Sequence, residues 1–401
     1  MSAKKINITE DVILPRGFRA AGVAVGLKKG NRKDMALLVS DESASMAGTF
    51  TTNQVRAATV KLCQRRVAGR KGGRAILVNS GNANACTGAQ GVLDAERMAA
   101  AAAELIGVDE RTVFVCSTGR IGVRLPMDVI LPGIRKAAEH LARDGGSAAA
   151  EAIMTTDTKV KKCAARFSVD GKAVVVTAMA KGAGMIEPNM ATMLAFFLTD
   201  AAVEPAALQA CLAQAVDKSF NRITVDGDRS TNDTVLFMAN GLAGNRPLKP
   251  GHPDWAAFSE AVSALATSLA LKIVEDGEGA TKLVTVRVKG ARTAKDADIA
   301  ARSVANSLLV KTSWAGEYPN WGRIADALGY SDAKVDEEKL EVRYDDLPAA
   351  KNGLAAGTPL EDLKRVVRQK AFTIDIDLHL GSGEAVVYTC NCTEEYVRIN
   401  M

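Results

Sequence analysis

The chain has 401 residues, 47% hydrophobic and 24% charged, which excludes a disordered protein and supplies enough apolar chain for one large domain or two. Its 51 Lys and Arg against 46 Asp and Glu leave a net charge of +5, and aromatics are only 4%, a balance that does not suit a nucleic-acid binder. The start MSAKKINITEDVILPRGF does not read as a secretory leader, no run of about 18 apolar residues marks a membrane span, and the seven scattered cysteines suit reduced thiols in a cytoplasm.

Taken in chain order, short apolar runs alternate with alanine-rich helical stretches, so the expected class is α/β. AILVNSG (75–81), TVFVCSTG (112–119) and AVVVTAMAKG (173–182) read as buried strands running into glycine turns. LDAERMAAAAAELIG (93–107) reads as a helix with a glycine stop, and so do helices over 204–220 and 255–277. FTIDIDLHLG and EAVVYTCNC alternate apolar and polar residues as half-buried strands do, and the GSG between them reads as a short hairpin connection. A smaller second lobe is expected from about residue 285 to residue 401, after the strand LVTVRVKG.

The chemistry is first bounded by what is missing. The three histidines, 140, 252 and 379, lie far apart, with His379 read within a strand, so a histidine-based triad has little support. Neither a phosphate-binding G-x-x-x-x-G-K-[ST] loop nor a strand-led G-x-G-x-x-G is present. Cys390 and Cys392 form a C-x-C that no second pair answers at zinc spacing, so no metal is expected.

What remains is a set of small-polar and glycine clusters. VNSGNANACTG (78–88) follows a buried strand, either to line a pocket or to form an Asx-rich turn. CSTGRIG (116–122) puts Thr118 and Gly119 at a strand end, where a hydroxyl and a backbone N–H can face a developing oxyanion. MTTDT (154–158) sets three hydroxyls within five residues. AKGAGMIEPNMATMLAFFLTDA (180–201) places a glycine-rich segment and a proline before Ala191-Thr192 and an apolar strand. A threonine hydroxyl needs a base, and a threonine exposed as a new N-terminus carries one in its own α-amine. FNRITVDGDRSTNDT (220–234) gathers three aspartates without the spacing of a calcium loop, and IVEDGEGATK (273–282) sets carboxylates beside glycines.

Together these segments, with SLLVKTSWAGEYPNWGRI and TEEYVRIN, resemble the ornithine acetyltransferase (glutamate N-acetyltransferase) family of arginine biosynthesis, collinearly from about residue 10 to residue 400. The resemblance implies a layered α/β sandwich with the chemistry of N-terminal nucleophile enzymes and a connectivity of its own. It implies self-cleavage between Ala191 and Thr192, giving pieces of 191 and 210 residues, with Thr192 as nucleophile of the second. Thr118 and Gly119 match the family's oxyanion pair, and Thr155, Lys181, Thr192, Glu278 and Asn400 match its substrate-binding positions. The implied reaction passes the acetyl group of N-acetylornithine to glutamate through an acetyl-threonine. No cofactor is implied beyond acetyl-CoA as a co-substrate in some members. Two copies of each piece are the implied assembly, with no nucleic-acid or membrane partner.

The sequence departs from the family at three places. Tyr318 stands where an acid is usual, and Asn391-Cys392 where Asp-Leu is common. The family usually continues past the YVRIN segment to a terminal Thr or Ser that helps hold substrate, whereas this sequence stops at Met401. Two other readings follow: a self-processing Thr amidohydrolase or aminopeptidase that passes the acyl group to water, and a non-catalytic member that keeps the fold.

Overall fold

The structure, a computed structural model, describes residues 6–187 and 193–401. The chain divides into two compact units. The first takes Met1–Gly182, Pro188–Asn221 and Arg229–Ile273, and the second takes Ala183–Glu187, Arg222–Asp228 and Val274–Met401.

The first unit contains β1 (Asn7–Thr9), β2 (Phe18–Val23), β3 (Met35–Phe50), α1 (Ala58–Ala68), β4 (Gly73–Asn82), α2 (Gly88–Ile106), β5 (Val113–Arg120), α3 (Met127–Glu139) and α4 (Gly146–Ala152). It continues with β6 (Lys161–Val169), β7 (Lys172–Lys181), β8 (Leu194–Thr199), α5 (Pro205–Lys218), β9 (Thr234–Ala239) and all but the last two residues of α6 (Trp255–Glu275). Among the described residues the strands join as one nine-stranded sheet in the order β1-β6-β7-β8-β9-β3-β4-β5, with β2 added to β3.

The long strand β3 explains the architecture. Met35–Val39 pairs with β4, the register shifts between Val39 and Ala44, and Ser45–Phe50 pairs with β9. One strand thus serves two half-sheets. Side chains alternate sides along a strand, and the alternation here is strict. Even-numbered residues of both halves (Leu38, Ile76, Phe114, Phe196, Leu236, Met238) share one buried cluster with α4. Odd-numbered residues of the first half (Leu37, Leu77, Val113, Val115) pack instead on α2 and α3. On the second half, Phe197 packs tilted on Phe237 with ring centroids 5.6 Å apart, and Phe237 stacks on Phe258 of α6 at 6.2 Å. The result is two sheet layers with helices outside both, the layered α/β sandwich expected.

The strands read over 75–81, 112–119 and 173–182 are β4, β5 and β7. The alanine-rich helix is α2, and Gly107 ends it in the left-handed conformation at φ 69°. Helix α6 is the one described helix long and apolar enough to cross a membrane. Its Phe258, Val262, Leu265, Leu269 and Ile273 are fully buried, so it packs as a core helix.

The second unit is an open-faced sheet backed by helices. Its elements are β10 (Leu283–Ala291), α7 (Ala294–Asn306), α8 (Leu308–Ala315), α9 (Trp321–Gly329), β11 (Glu341–Tyr344), β12 (Leu347–Lys351), β13 (Leu354–Ala355), α10 (Leu360–Val367), β14 (Ala371–Asp377), β15 (Gly383–Cys390) and α11 (Glu394–Ile399). The strand order is β13-β12-β11-β14-β10-β15. Val284, Val286 and Val288 stand beside Phe372, Ile374 and Ile376 and bury together against α7 to α10. The other face is polar, with Arg287 and Asp375 paired at 2.8 Å.

Two expectations are corrected here. The GSG segment does not close a hairpin, because β10 lies between β14 and β15, parallel to the first and antiparallel to the second. The alternation of the two strands was legible, but the insertion of a strand from a distant part of the sequence was not. His379 is not within a strand: β14 ends at Asp377, and His379 sits in the following turn at φ 50°.

Candidate active site

The ends of β4 and β5 run parallel in register, with Ser80 beside Thr118 and Gly81 beside Gly119. Gly119 has φ +133°, and a Cβ there would lie 2.3 Å from the Gly81 carbonyl carbon and 2.5 Å from the Asn82 nitrogen. Only glycine permits this backbone approach. Thr118 beside it is buried.

The polar cluster over 78–88 is largely spent on holding this corner. Asn79 Nδ2 donates to the Asn82 carbonyl at 2.9 Å, and the Ser117 hydroxyl donates to Asn79 Oδ1 at 2.6 Å. Asn82 Oδ1 takes the Asn84 N–H, and Asn84 Nδ2 donates to the Gly91 carbonyl. From across the fold, Asn232 Nδ2 donates to the carbonyls of Ala83 and Ser117 at 2.6 and 2.7 Å. Of the two readings of this cluster, the Asx-rich turn accounts for these side chains.

Lys181 ends β7, is 2% exposed, and brings Nζ to 3.3 Å from Thr118 Oγ1. Asp157, from the segment read as a hydroxyl cluster, is the buried acid of the group. Its Oδ1 accepts from Lys161 Nζ at 2.7 Å and from the Gly182 N–H at 2.7 Å, and its Oδ2 accepts from the Thr155 N–H at 2.9 Å. Burial by itself would raise this acid. The ammonium groups of Lys181 and Lys161, with the Gly182 N–H, outweigh it and hold the carboxyl well below the usual carboxylate range. Four of the expected positions, Thr118, Gly119, Thr155 and Lys181, are therefore tied together in the first unit, the latter two through Asp157.

Ala191 and Thr192 lie outside the described residues. Their described neighbour Met193 leads into β8, where Leu194 pairs with Lys181. Asp233, fully buried, takes the Met193 N–H on Oδ1 at 2.9 Å. The nearby Thr51 hydroxyl donates instead to the Ser230 carbonyl, and Asp233 Oδ2 has no hydrogen-bond partner among the described residues. Burial pushes this acid well up, against the Met193 N–H and the charge of Lys181.

Glu278 and Asn400 come together in the second unit, where Asn400 Nδ2 donates to Glu278 Oε2 at 2.8 Å. The Glu278 N–H donates to the Ala183 carbonyl at 2.8 Å, and its carboxyl lies directly over Gly184. Asp226 takes the N–H groups of Met185 and Ile186 at 2.5 and 2.8 Å, and the Tyr396 hydroxyl donates to it at 3.3 Å. Burial raises the Asp226 acid, and burial with the adjacent Asp226 charge raises the Tyr396 phenol. The aspartate-rich run is thus divided between jobs: Asp226 anchors the 185–186 backbone and Asp233 anchors Met193. Sequence reading missed Asp157, Asp233, Asp226 and Gly184. Their only signal was position within clusters singled out for other residue types.

Among the described residues, one group of side chains comes close enough to share a cation: Asp170, His252 and Asp254, with ligand atoms within 4.8 Å of one another. Arg246 already binds Asp170 at 2.6 Å, His252 Nε2 lies 3.2 Å from the same carboxylate, and Asp254 takes the Asp170 N–H. A guanidinium in contact argues for a closed ion-pair network. A cavity of about 190 Å³ lies at the starts of α1 and α2, lined by Arg56, Lys61, Cys86 and Thr87 among others, and none of the described site residues lines it.

Comparison with known proteins gives a consistent picture. The chain matches the ArgJ family over residues 19–401. It is 50% identical over 392 residues to the arginine biosynthesis bifunctional protein ArgJ of Symbiobacterium thermophilum, covering 97% of each chain. It is 49% identical to the protein of that name from Geobacter sulfurreducens, covering 96% of this chain and 98% of the relative. Among solved structures, the ornithine acetyltransferase of Mycobacterium tuberculosis complexed with ornithine is 38% identical, with 46% of this chain and 98% of that chain covered at a TM-score of 0.42. On the strength of the near full-length identities, the chain belongs to the ArgJ family and is an acyltransferase of arginine biosynthesis.

Proposed function

We propose that the protein cleaves itself between Ala191 and Thr192 and then transfers an acetyl group from N-acetylornithine to glutamate through an acetyl-Thr192 intermediate. The α-amine of Thr192 takes the proton from its own Oγ as that oxygen attacks the acetyl carbon. Thr118 and Gly119 donate to the resulting oxyanion, and the amine proton passes to the leaving ornithine nitrogen. Glutamate's amine then attacks the acetyl-threonine by the same route in reverse. Thr155, Lys181, Glu278 and Asn400 hold substrate, Glu278 facing an ammonium such as the δ-amine of ornithine. The name "bifunctional" carried by the relatives supports acetyl-CoA as a second acetyl donor. Two copies of each piece form the proposed assembly.

The observation that carries this reading is the buried corner where Lys181 meets Thr118 beside the glycine-only approach of Gly119. It lies at the pairing of β7 with the strand that follows Thr192 by two residues. A donor aimed at a developing oxyanion is worth about 10²–10³ in rate. The test is an intact mass of the protein beside its Thr192→Ala variant, followed by turnover with and without glutamate. Two pieces in the first and one chain in the second are expected, with ornithine release strongly dependent on glutamate. One uncut chain in both, or release indifferent to glutamate, overturns the reading.

A further inference from the structure

The reading above gives Lys181 a place among the substrate-binding residues. Its geometry gives it a second task beside that one. The ammonium is 2% exposed and sits 3.3 Å from Thr118 Oγ1. An ammonium has donors and no acceptor, so in this contact the threonine oxygen accepts. The Thr118 hydrogen must then point away from Lys181. A hydroxyl whose oxygen accepts from a buried cation is also a stronger donor, because the low local dielectric leaves the polarisation unscreened.

The second part of the device is Asp157. Burying an ammonium without compensation is expensive. Here the buried Asp157 carboxylate interacts with the charges of two buried lysines, Lys161 and Lys181. Asp157 also takes the N–H of Gly182, the residue bonded to Lys181, at 2.7 Å. The strand end that carries Lys181 is therefore held by the same carboxylate that compensates its charge. All of these groups belong to the first unit.

We propose that Lys181 works through Thr118: its ammonium, set in place by Asp157, donates to Thr118 Oγ1 so that the Thr118 hydroxyl donates its hydrogen to the carbonyl oxygen of the acyl group under attack. Lys181 and Asp157 are positioning residues in this scheme, and Thr118 is the group that touches the reacting atoms. No proton leaves Lys181 during the step; its charge only orients and strengthens the hydroxyl. The inference rests on the acetyl-transfer reading, with Thr118 as an oxyanion donor.

The experiment is a double-mutant cycle with Thr118→Val, Lys181→Met and the pair, each checked by intact mass and melting temperature. Lys181→Met fills the volume of the stem and leaves the ion pair of Asp157 with Lys161 in place. The rates are kcat and KM for N-acetylornithine at saturating glutamate. Each single change should lower kcat about 10²-fold. The double variant should be no slower than the slower single variant.

Losses that multiply, to about 10⁴-fold, overturn the inference. So does a Lys181→Met protein with a raised KM and an unchanged kcat, the mark of a substrate contact and nothing more. Asp157→Asn adds a second arm: it should lower kcat in the unaltered protein and not in the Thr118→Val background. Thr118→Ser, which keeps the hydroxyl, should leave kcat sensitive to Lys181→Met. If the unaltered protein forms no acetyl-enzyme with N-acetylornithine alone, the acetyl-transfer reading and this inference fall together. If the acetyl-enzyme forms and the losses multiply, only the inference falls.

Discussion

Gly184→Ala should separate substrate binding from stability at a single atom. A methyl at this position would lie 2.4 Å from the Glu278 carboxyl carbon and 2.5–2.6 Å from its two oxygens. Gly184 does not occupy a left-handed conformation, so the backbone accepts alanine without strain. The obstructing group is the far end of a flexible side chain, and the cheapest relief is for the Glu278 carboxylate to recede by about 1 Å, to an ordinary contact distance. That motion breaks the 2.8 Å hydrogen bond from Asn400.

In the proposed complex the same motion removes a charge-assisted bond to a substrate ammonium, worth about 1.5–3 kcal/mol. At 1.4 kcal/mol per tenfold, KM for N-acetylornithine should rise about 10- to 100-fold. The lost contact with Asn400 is solvent-exposed, so the melting temperature should move by no more than about 2 °C. Steady-state kinetics at saturating glutamate, beside a thermal melt, reads both quantities. An unchanged KM would refute the assignment of Glu278. A large fall in melting temperature would refute the argument that the side chain, rather than the fold, gives way.

Two further changes test the first unit. Gly119→Ala places a methyl against backbone at 2.3–2.7 Å with φ at +133°, where no side chain can yield, and should cost about 2–5 kcal/mol of stability. Any folded fraction should transfer acetyl about 10²-fold more slowly, and a denaturant titration paired with the transfer assay would expose a silent substitution. Asp233→Asn probes the raised acid beside Met193. A carboxyl that keeps its proton in the fold contributes stability that is fully present below about pH 4 and is lost as pH rises through the native value. Asparagine is neutral throughout, so the variant should gain on the unaltered protein as pH rises from 4 to 8, by up to about 1.4 kcal/mol per pH unit. Calorimetric melts across that range check it, and a constant or shrinking difference would count against a buried protonated Asp233.

Much of the fold was legible because each buried strand carries its own signal. The apolar runs at 75–78 and 113–116 end in small polar residues at the points where β4 and β5 leave the core. Strand β3 was not legible, because its middle, SDESAS, interrupts the alternation at the place where the strand passes from one half-sheet to the other. The GSG hairpin failed for a related reason: period two reports that a strand is half-buried and says nothing about which strand lies beside it.

At the site, residue types that do their chemistry locally could be found. Gly119 stands at a strand end, and Lys181 closes an apolar run. Asp157 and Asp233 could not, since a carboxylate becomes a hub or a buried acid only through partners such as Lys161, Gly182 and Met193. The asparagines of 78–88 show the converse, a conspicuous polar motif whose side chains mostly hold backbone.

The short stretch Ala183–Glu187 lies in the second unit, although the strands on either side of it, β7 and β8, lie in the first. Its backbone is bound by Thr224, Val225, Asp226 and Glu278, all of which follow the proposed cut. An uncut chain folds as one molecule, with this stretch delivered to its partners by covalent connection. A cut chain that is once unfolded must find those partners by collision, so its recovery would depend on concentration where the first folding did not. Cleavage would then act as a ratchet on assembly, and durability after the cut would be set by the rate of unfolding rather than by the equilibrium the newly made chain enjoyed.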